Sequence, residues 1–350
     1  MKSLLAFAGR HGPALLFAGV LLGLAWPGLA AAVKPAMGAA VFVFTLGAFL
    51  KVDPAALHAS LRRPGRNAIT LLWIVVGVPL TGVALTSLLP LPEGIRLGVL
   101  LSLLAPPVGS AAAIAAMLGL DAALALTMTV VASVLSPLYL PLLIVGLGGL
   151  GGQTTAAIDT AGMLIRVALV VGGAACAASA LRLVARDAVK RNPMVMVGLS
   201  VVGLIVVGIG AMDGVQPVLR AHAGDVFGWI ALAFALNGGL QIAGTLLFAR
   251  TGARHALSVG LISGNRNVTL IWVAVAPWLQ ASPQAEVFLA ASVFPIFMLP
   301  MLTRPLIAWC CRPAALAQPA LAQPALAQPA LAQPALARHA AAAPRSRSAR

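Results

Sequence analysis

Long apolar stretches separated by short polar segments make up most of this chain. Ten such stretches fall near 13–32, 35–50, 67–89, 96–118, 122–147, 160–184, 194–212, 226–249, 255–277 and 284–309. Nearly all reach the roughly 18 residues that a helix needs to cross a bilayer's hydrocarbon core. Within them Leu, Val, Ala, Ile and Gly follow one another without the alternation of a membrane β-strand, so the pattern predicts helices. The stretch 13–32 follows Lys2 and Arg10 and ends in GLAAA, as a signal peptide would. It is long for a signal core, and it reads as the first span.

Two spans are interrupted. The fourth reads LSLLAPPVGSAAAIAAMLG. Pro106 and Pro107 remove two adjacent amide donors and Gly109 adds backbone freedom, so no helix runs straight through. The ninth reads HALSVGLISGNRNVTLIWVAVAP. Ser263, Asn265, Arg266, Asn267 and Thr269 crowd around Gly264 between two apolar arms, which places Arg266 near mid-bilayer. A charge there costs about 2.5–3.5 kcal/mol on insertion scales and must face the protein interior or a wet cavity. Freed carbonyls at that depth need partners from protein, water or solute. Asn237 and Gln241 lie one turn apart on the eighth span, where they line a cavity or tie helices together. Together with Ser110, these polar residues of the eighth and ninth spans form the candidate solute-binding set. Pro106, Pro107, Gly109 and Gly264 are the candidate helix-break positions.

The loops carry an orientation signal. Alternate loops hold Lys2 and Arg10; Lys51, Arg62, Arg63 and Arg66; Arg182, Arg186, Lys190 and Arg191; and Arg250 and Arg254. The intervening loops hold only Lys34, Arg96 and Arg220. By the positive-inside rule both termini are expected in the cytoplasm and the protein in the inner (plasma) membrane. Residues 1–12 then form a cytoplasmic N-terminus and 13–309 a ten-helix domain. Residues 310–350 form a tail in which ALAQP recurs four times from Ala315 to Pro334 before a basic end. Regular prolines and little apolar surface to bury predict a disordered segment there.

Composition agrees with a membrane protein. The chain is 61% hydrophobic and 9% charged, with a mean hydropathy of +1.00. Its formal charge of +15 comes from loops and tail, and with a single Tyr it does not suggest nucleic-acid binding. Anionic lipid is the expected partner of those cations. The three cysteines match neither a disulfide framework nor a metal site. None of the eight acidic residues falls clearly at a span centre, so Arg266 has no evident anionic partner. No HExxH, intramembrane Asp pair or Ser–His pairing points to an enzyme. Five spans per half put residues 158–309 upside down relative to 13–150, the inverted-repeat plan of many secondary transporters. The fourth and ninth spans then occupy matching places.

Several stretches resemble, in order, the bile acid:sodium symporter family. VFVFTLGAFLKVDPAAL…LRRPGRNAITLLWIVVGVPLTG is similar to its second and third spans. LAPPVGSAAAIAAMLGLDAALALTMTVVASVLSPLYLPLL is similar to its fourth-span crossover and fifth helix. LNGGLQIAGTLLFARTGARHALSVGLISGNRNVTL is similar to its eighth helix and ninth-span crossover. The resemblance implies ten helices in a panel and a core domain, with spans 4 and 9 crossing in the core. It also implies alternating access, organic-anion substrates and a pair of Na+ ions beside the crossovers. The sequence departs from the family's sodium-site pattern. Ile262 stands where the family has an acidic residue, Arg266 where it has Gln, Ala111 and Ala112 where it has Ser-Asn, and Ile74 near its third-span Gln. Thr129 alone remains of the usual ligands. Arg266 would repel a cation at that place.

The expectation is therefore a secondary active carrier of a small organic anion, bile-acid-like or carboxylate, that works without the usual sodium sites. No resident cofactor or metal is implied, and Na+ or H+ coupling stays open. A sodium-coupled symporter of the same family and an arsenite-permease-like efflux carrier are the alternatives, with a scaffold or sensor protein as a further class.

Overall fold

The structure is a computed structural model that describes residues 2–52, 64–147 and 158–311. The ALAQP tail and parts of two loops lie outside the described residues, as does the order or disorder expected of them. Every regular element among the described residues is a helix. In chain order these are α1 Lys2–Arg10, α2 Gly12–Ala25, α3 Pro27–Val33, α4 Met37–Leu50, α5 Pro64–Leu72, α6 Val78–Ser87, α7 Glu93–Leu104, α8 Ala111–Met117 and α9 Ala122–Leu147. Then follow α10 Thr160–Val184, α11 Arg186–Arg191, α12 Pro193–Gly210, α13 Val215–Ala221, α14 Ala223–Leu247, α15 Ala253–Gly264, α16 Val268–Leu279, α17 Pro283–Ala291 and α18 Val293–Cys310. Short 3₁₀ turns join α3 to α4 and α14 to α15, and a π turn, Trp73–Gly77, joins α5 to α6.

Six helical runs among the described residues are long and apolar enough to cross a membrane: Pro27–Leu50, Gly65–Ser87, Ala122–Leu147, Thr160–Val184, Ala223–Leu247 and Pro283–Cys310. A bent pair, Met194–Gly210 with Val215–Ala221, makes a seventh if counted as one span. The spans expected at 96–118 and 255–277 are each split into pieces of twelve residues or fewer, too short to cross a bilayer singly.

The beginning of the chain differs from the sequence expectation. The first two spans were expected to meet at 32–35, but the helix breaks at Trp26 and restarts at Pro27. Proline suits a first helical position because its missing N–H has no intrahelical partner there. Pro35, which looked like a boundary, is absorbed in the 3₁₀ turn Lys34–Ala36 without ending the run. Lys34 therefore lies inside a helical run and not in a loop. Upstream, α1 and α2 follow one another along α12. A Cβ at Gly9 would lie 2.6 Å from the Met194 carbonyl oxygen, and one at Gly23 2.5 Å from that of Ile209. Residues expected as an N-terminal extension are thus helical and packed.

Packing divides the helices into two neighbourhoods. One gathers α1 to α4 with α10 and α12. The other gathers α14 and α15, α7 and α17, and α8 and α9. Contacts of α10 with α9 and α16 join them. The α14–α15 pair is held by close backbone approach, as membrane helices without a hydrophobic drive between them require. A Cβ at Gly260 would collide with Thr245 Oγ1 and with the Gln241 carbonyl oxygen, and one at Gly264 with that of Asn237. Gly260→Leu is expected to force these helices apart, a clash beyond the usual overpacking cost of about 1–3 kcal/mol. Thermal denaturation in detergent should show a lowered midpoint or no folded protein. Gly239→Ala, on a face with nothing within 4 Å, should leave the midpoint unchanged.

Candidate functional site

The two interruptions meet. After α7 the backbone turns extended at Ala105, with φ −55° and ψ 144°. After α15 it leaves the helix at Asn265, with φ −83° and ψ 89°. Pro107 and Arg266 then face each other in an antiparallel bridge. Val108 N–H donates to the Asn265 carbonyl at 2.9 Å, and Asn267 N–H donates to that of Pro106 at 2.6 Å. Each broken span thus satisfies backbone groups of the other, which is how non-helical backbone can persist away from water.

Side chains from neighbouring helices complete the crossing. Asn237 Nδ2 donates to the Gly264 carbonyl at 2.9 Å and lies 3.3 Å from Asn265 Oδ1. Gln241 Nε2 donates to Asn237 Oδ1 at 2.7 Å and so fixes the amide that caps α15. Asn267 caps α16: its Oδ1 accepts from Leu270 N–H at 3.3 Å and from Thr269 Oγ1 at 2.7 Å. Ser263 Oγ donates to Val259 and accepts from Trp73 Nε1 at 2.8 Å, tying the ninth span to the π turn. Ser110 precedes α8. Its hydroxyl, Asn265 Nδ2 and the Thr129 hydroxyl on α9 are buried without a hydrogen-bond partner among the described residues.

Arg266 occupies the centre and is 3% exposed. Its Nη2 donates to the carbonyls of Leu103 at 2.9 Å and Ile74 at 3.1 Å. Prolines explain both partners. In an α-helix the Leu103 carbonyl would receive the N–H of residue 107, which is proline. In the π turn Val78 N–H goes to Trp73. The i→i+5 pattern would assign the Ile74 carbonyl to residue 79, also proline. The guanidinium supplies the donors that Pro107 and Pro79 lack. It has no carboxylate within ion-pairing distance among the described residues, and its Nε and Nη1 have no hydrogen-bond partner there. Of the candidate solute set, Asn237, Gln241 and Asn265 form one hydrogen-bonded group and Asn267 with Thr269 a second, while Ser263 and Arg266 bond other helices. Ser110 lies two residues beyond the paired Val108 without a side-chain bond to the crossover, and the Thr129 hydroxyl, the retained sodium-ligand position, is likewise unbonded among the described residues.

A second polar group, not singled out from sequence, lies at one end of the bundle. Lys34 Nζ is 2.8 Å from Glu286 Oε1 and 3.1 Å from Asp213 Oδ2. Trp272 Nε1 donates to Glu286 Oε1 at 3.3 Å. Arg166 lies over the Trp278 ring, 5.8 Å from its centroid. Lys34, Asp213 and Glu286 each interrupt or border an apolar run. The alternation of spans would have put them at one end, but their pairing depends on helix neighbours that the sequence does not reveal.

Long apolar helices with two broken, crossed segments define a multi-pass helical membrane protein. More specifically, the chain belongs to the Sodium Bile acid symporter family, whose model matches residues 39–214. It is thus a membrane transporter of the bile acid symporter kind, acting on a small-molecule solute. The match includes the proline break but ends before Arg266. Comparison with curated proteins found no match.

The network predicts a graded response. Asn237→Ala leaves the Gly264 carbonyl unpaired and should destabilise by about 1–3 kcal/mol. Gln241→Ala removes only the support for that amide and should cost less. Thermal midpoints of the two purified variants test the order.

Proposed function

We propose that this protein is a secondary carrier that moves a small organic anion by alternating access and does not use the family's two sodium sites. The observation that carries this reading is the Arg266 side chain, whose fixed positive charge occupies the crossover and bonds the carbonyls of Ile74 and Leu103. No carboxylate balances it among the described residues. Ile262, the family's acidic position, is apolar and fully buried. A free cation beside Arg266 would meet repulsion that low-dielectric surroundings strengthen.

Ten spans fit this reading. The six long runs and the bent pair are joined by Lys2–Ala25 in two pieces and by the two broken spans. The breaks then fall on the fourth and ninth spans, supporting two inverted halves, 13–150 and 158–309. The basic loops put both termini on the cytoplasmic side of the plasma membrane. The end that carries Lys34, Asp213 and Glu286 then faces outward.

Within the crossover, residues divide by their existing commitments. Ser263, Asn267, Thr269, Asn237 and Gln241 already bond protein groups and position the site. Arg266 Nε and Nη1, Asn265 Nδ2 and the Ser110 hydroxyl have no partner among the described residues and remain as donors. Donors without a counter-charge suit an anionic solute. The unpartnered Thr129 hydroxyl favours the second reading, a sodium-coupled symporter in which carbonyls complete altered ion sites.

Uptake of taurocholate and of short-chain carboxylates into proteoliposomes separates the two. Replacing Na+ with choline is expected to leave the rate unchanged; a collapse of uptake would establish the sodium-coupled reading instead. Arg266→Gln should destabilise by about 1–3 kcal/mol for each carbonyl left unpaired. If the variant still folds, it should also bind the anion more weakly. Undiminished binding with a lowered thermal midpoint would restrict Arg266 to holding the crossover.

A further inference from the structure

The group at the bundle end borders a cavity of about 450 Å³, within the range of small-ligand sites. Its wall is largely apolar, with Met37, Val273, Leu279 and the Trp272 ring. Three ionised side chains line it: Lys34, Arg166 and Glu286. Their commitments differ. Lys34 already holds two carboxylates, Asp213 and Glu286. Glu286 in turn holds Lys34 and Trp272. Arg166 has only the Trp278 face and no carboxylate within ion-pairing distance among the described residues.

One uncommitted guanidinium, an apolar wall and one resident carboxylate specify a ligand. We infer that this cavity binds monocarboxylates with an apolar body. The ligand carboxylate pairs with Arg166, whose planar fork suits it. The body packs on Trp272 and the aliphatic wall. Glu286 repels a second carboxylate, so dianions of similar length are excluded. The site is distinct from the crossover: among the described residues no hydrogen bond or ion pair joins its lining to Arg266. That the cavity lies on the solute's path from outside rests on the carrier reading; that it binds monocarboxylates does not.

Calorimetric titration of the full-length protein in detergent with three six-carbon probes tests this. Hexanoate should bind at least about tenfold more tightly than hexanamide, which lacks the charge, and than adipate, which adds a second one. Arg166→Gln should erase the advantage of hexanoate over hexanamide. Arg166 is exposed, so this variant should fold. Glu286→Gln, which can keep the bond to Trp272, should bring adipate close to hexanoate. Equal binding of hexanoate and hexanamide would overturn the inference, as would an unchanged preference in Arg166→Gln or continued exclusion of adipate in Glu286→Gln. Parallel uptake measurements separate the two claims. Expected binding without uptake of any carboxylate would defeat the carrier reading and leave the site standing. Uptake with wild-type binding in Arg166→Gln would do the reverse.

Discussion

One guanidinium, bonded to two carbonyls that prolines have left without donors, is the interaction around which the crossover is organised. Pro107 frees the carbonyl of Leu103, Pro79 frees that of Ile74, and Arg266 Nη2 reaches both. Three segments distant in sequence are joined at one buried point. Without Arg266, two carbonyls would remain unpaired in the interior, each at a cost of about 1–3 kcal/mol. Without the prolines, those carbonyls would bond their own helices and the guanidinium would lose its seat. Backbone pairing at Val108 and Asn267 and the Asn237 cap on Gly264 extend the same logic. The carbonyls of Pro106, Gly264 and Asn265 thus find donors on another element.

A tethered cation differs from a dissolved one in what it can couple. A sodium ion arrives and leaves, so its gradient can bias the populations of two conformations. A side chain cannot leave. Its charge can still attract an anion, and its bonds to the third and fourth spans can differ between conformations. A burden of positive charge deep in the protein is costly unless paired. An arriving anion would relieve that cost, linking solute binding to the stability of the crossover. At the other end, the pairing of Lys34 with Glu286 and Asp213 leaves Arg166 as the uncommitted cation. The proposed outer cavity and the crossover thus each hold a guanidinium with no carboxylate in ion-pairing distance among the described residues.

Much of this was legible in the sequence. Adjacent prolines at 106 and 107 and the polar run at 263–269 marked both interruptions, because apolar arms flanked them and no helix accommodates Pro-Pro in its interior. Arg266 stood out as a charge among apolar neighbours. Its partners did not, because the shortage at Ile74 arises only if residues 73–77 form a π turn, a local choice that composition does not announce. The boundary of the first two spans was also hidden. Lys34-Pro35 looked like a loop, yet a 3₁₀ turn carried the helix through and Asp213 and Glu286 met the charge. Glu286 passed as an end-of-span acid because its burial depends on α16 and α17 lying side by side. Periodicity and breaker residues reveal where helices stop; they do not reveal which helices become neighbours.

The most direct measurement is an experimental density map of the protein in lipid nanodiscs, recorded with sodium present and with sodium replaced by choline. The account predicts the Arg266 guanidinium against the carbonyls of residues 74 and 103 in both maps, with no ion density between them. An Arg266 side chain turned to the aqueous boundary, or a sodium-dependent peak held by those carbonyls, would contradict it.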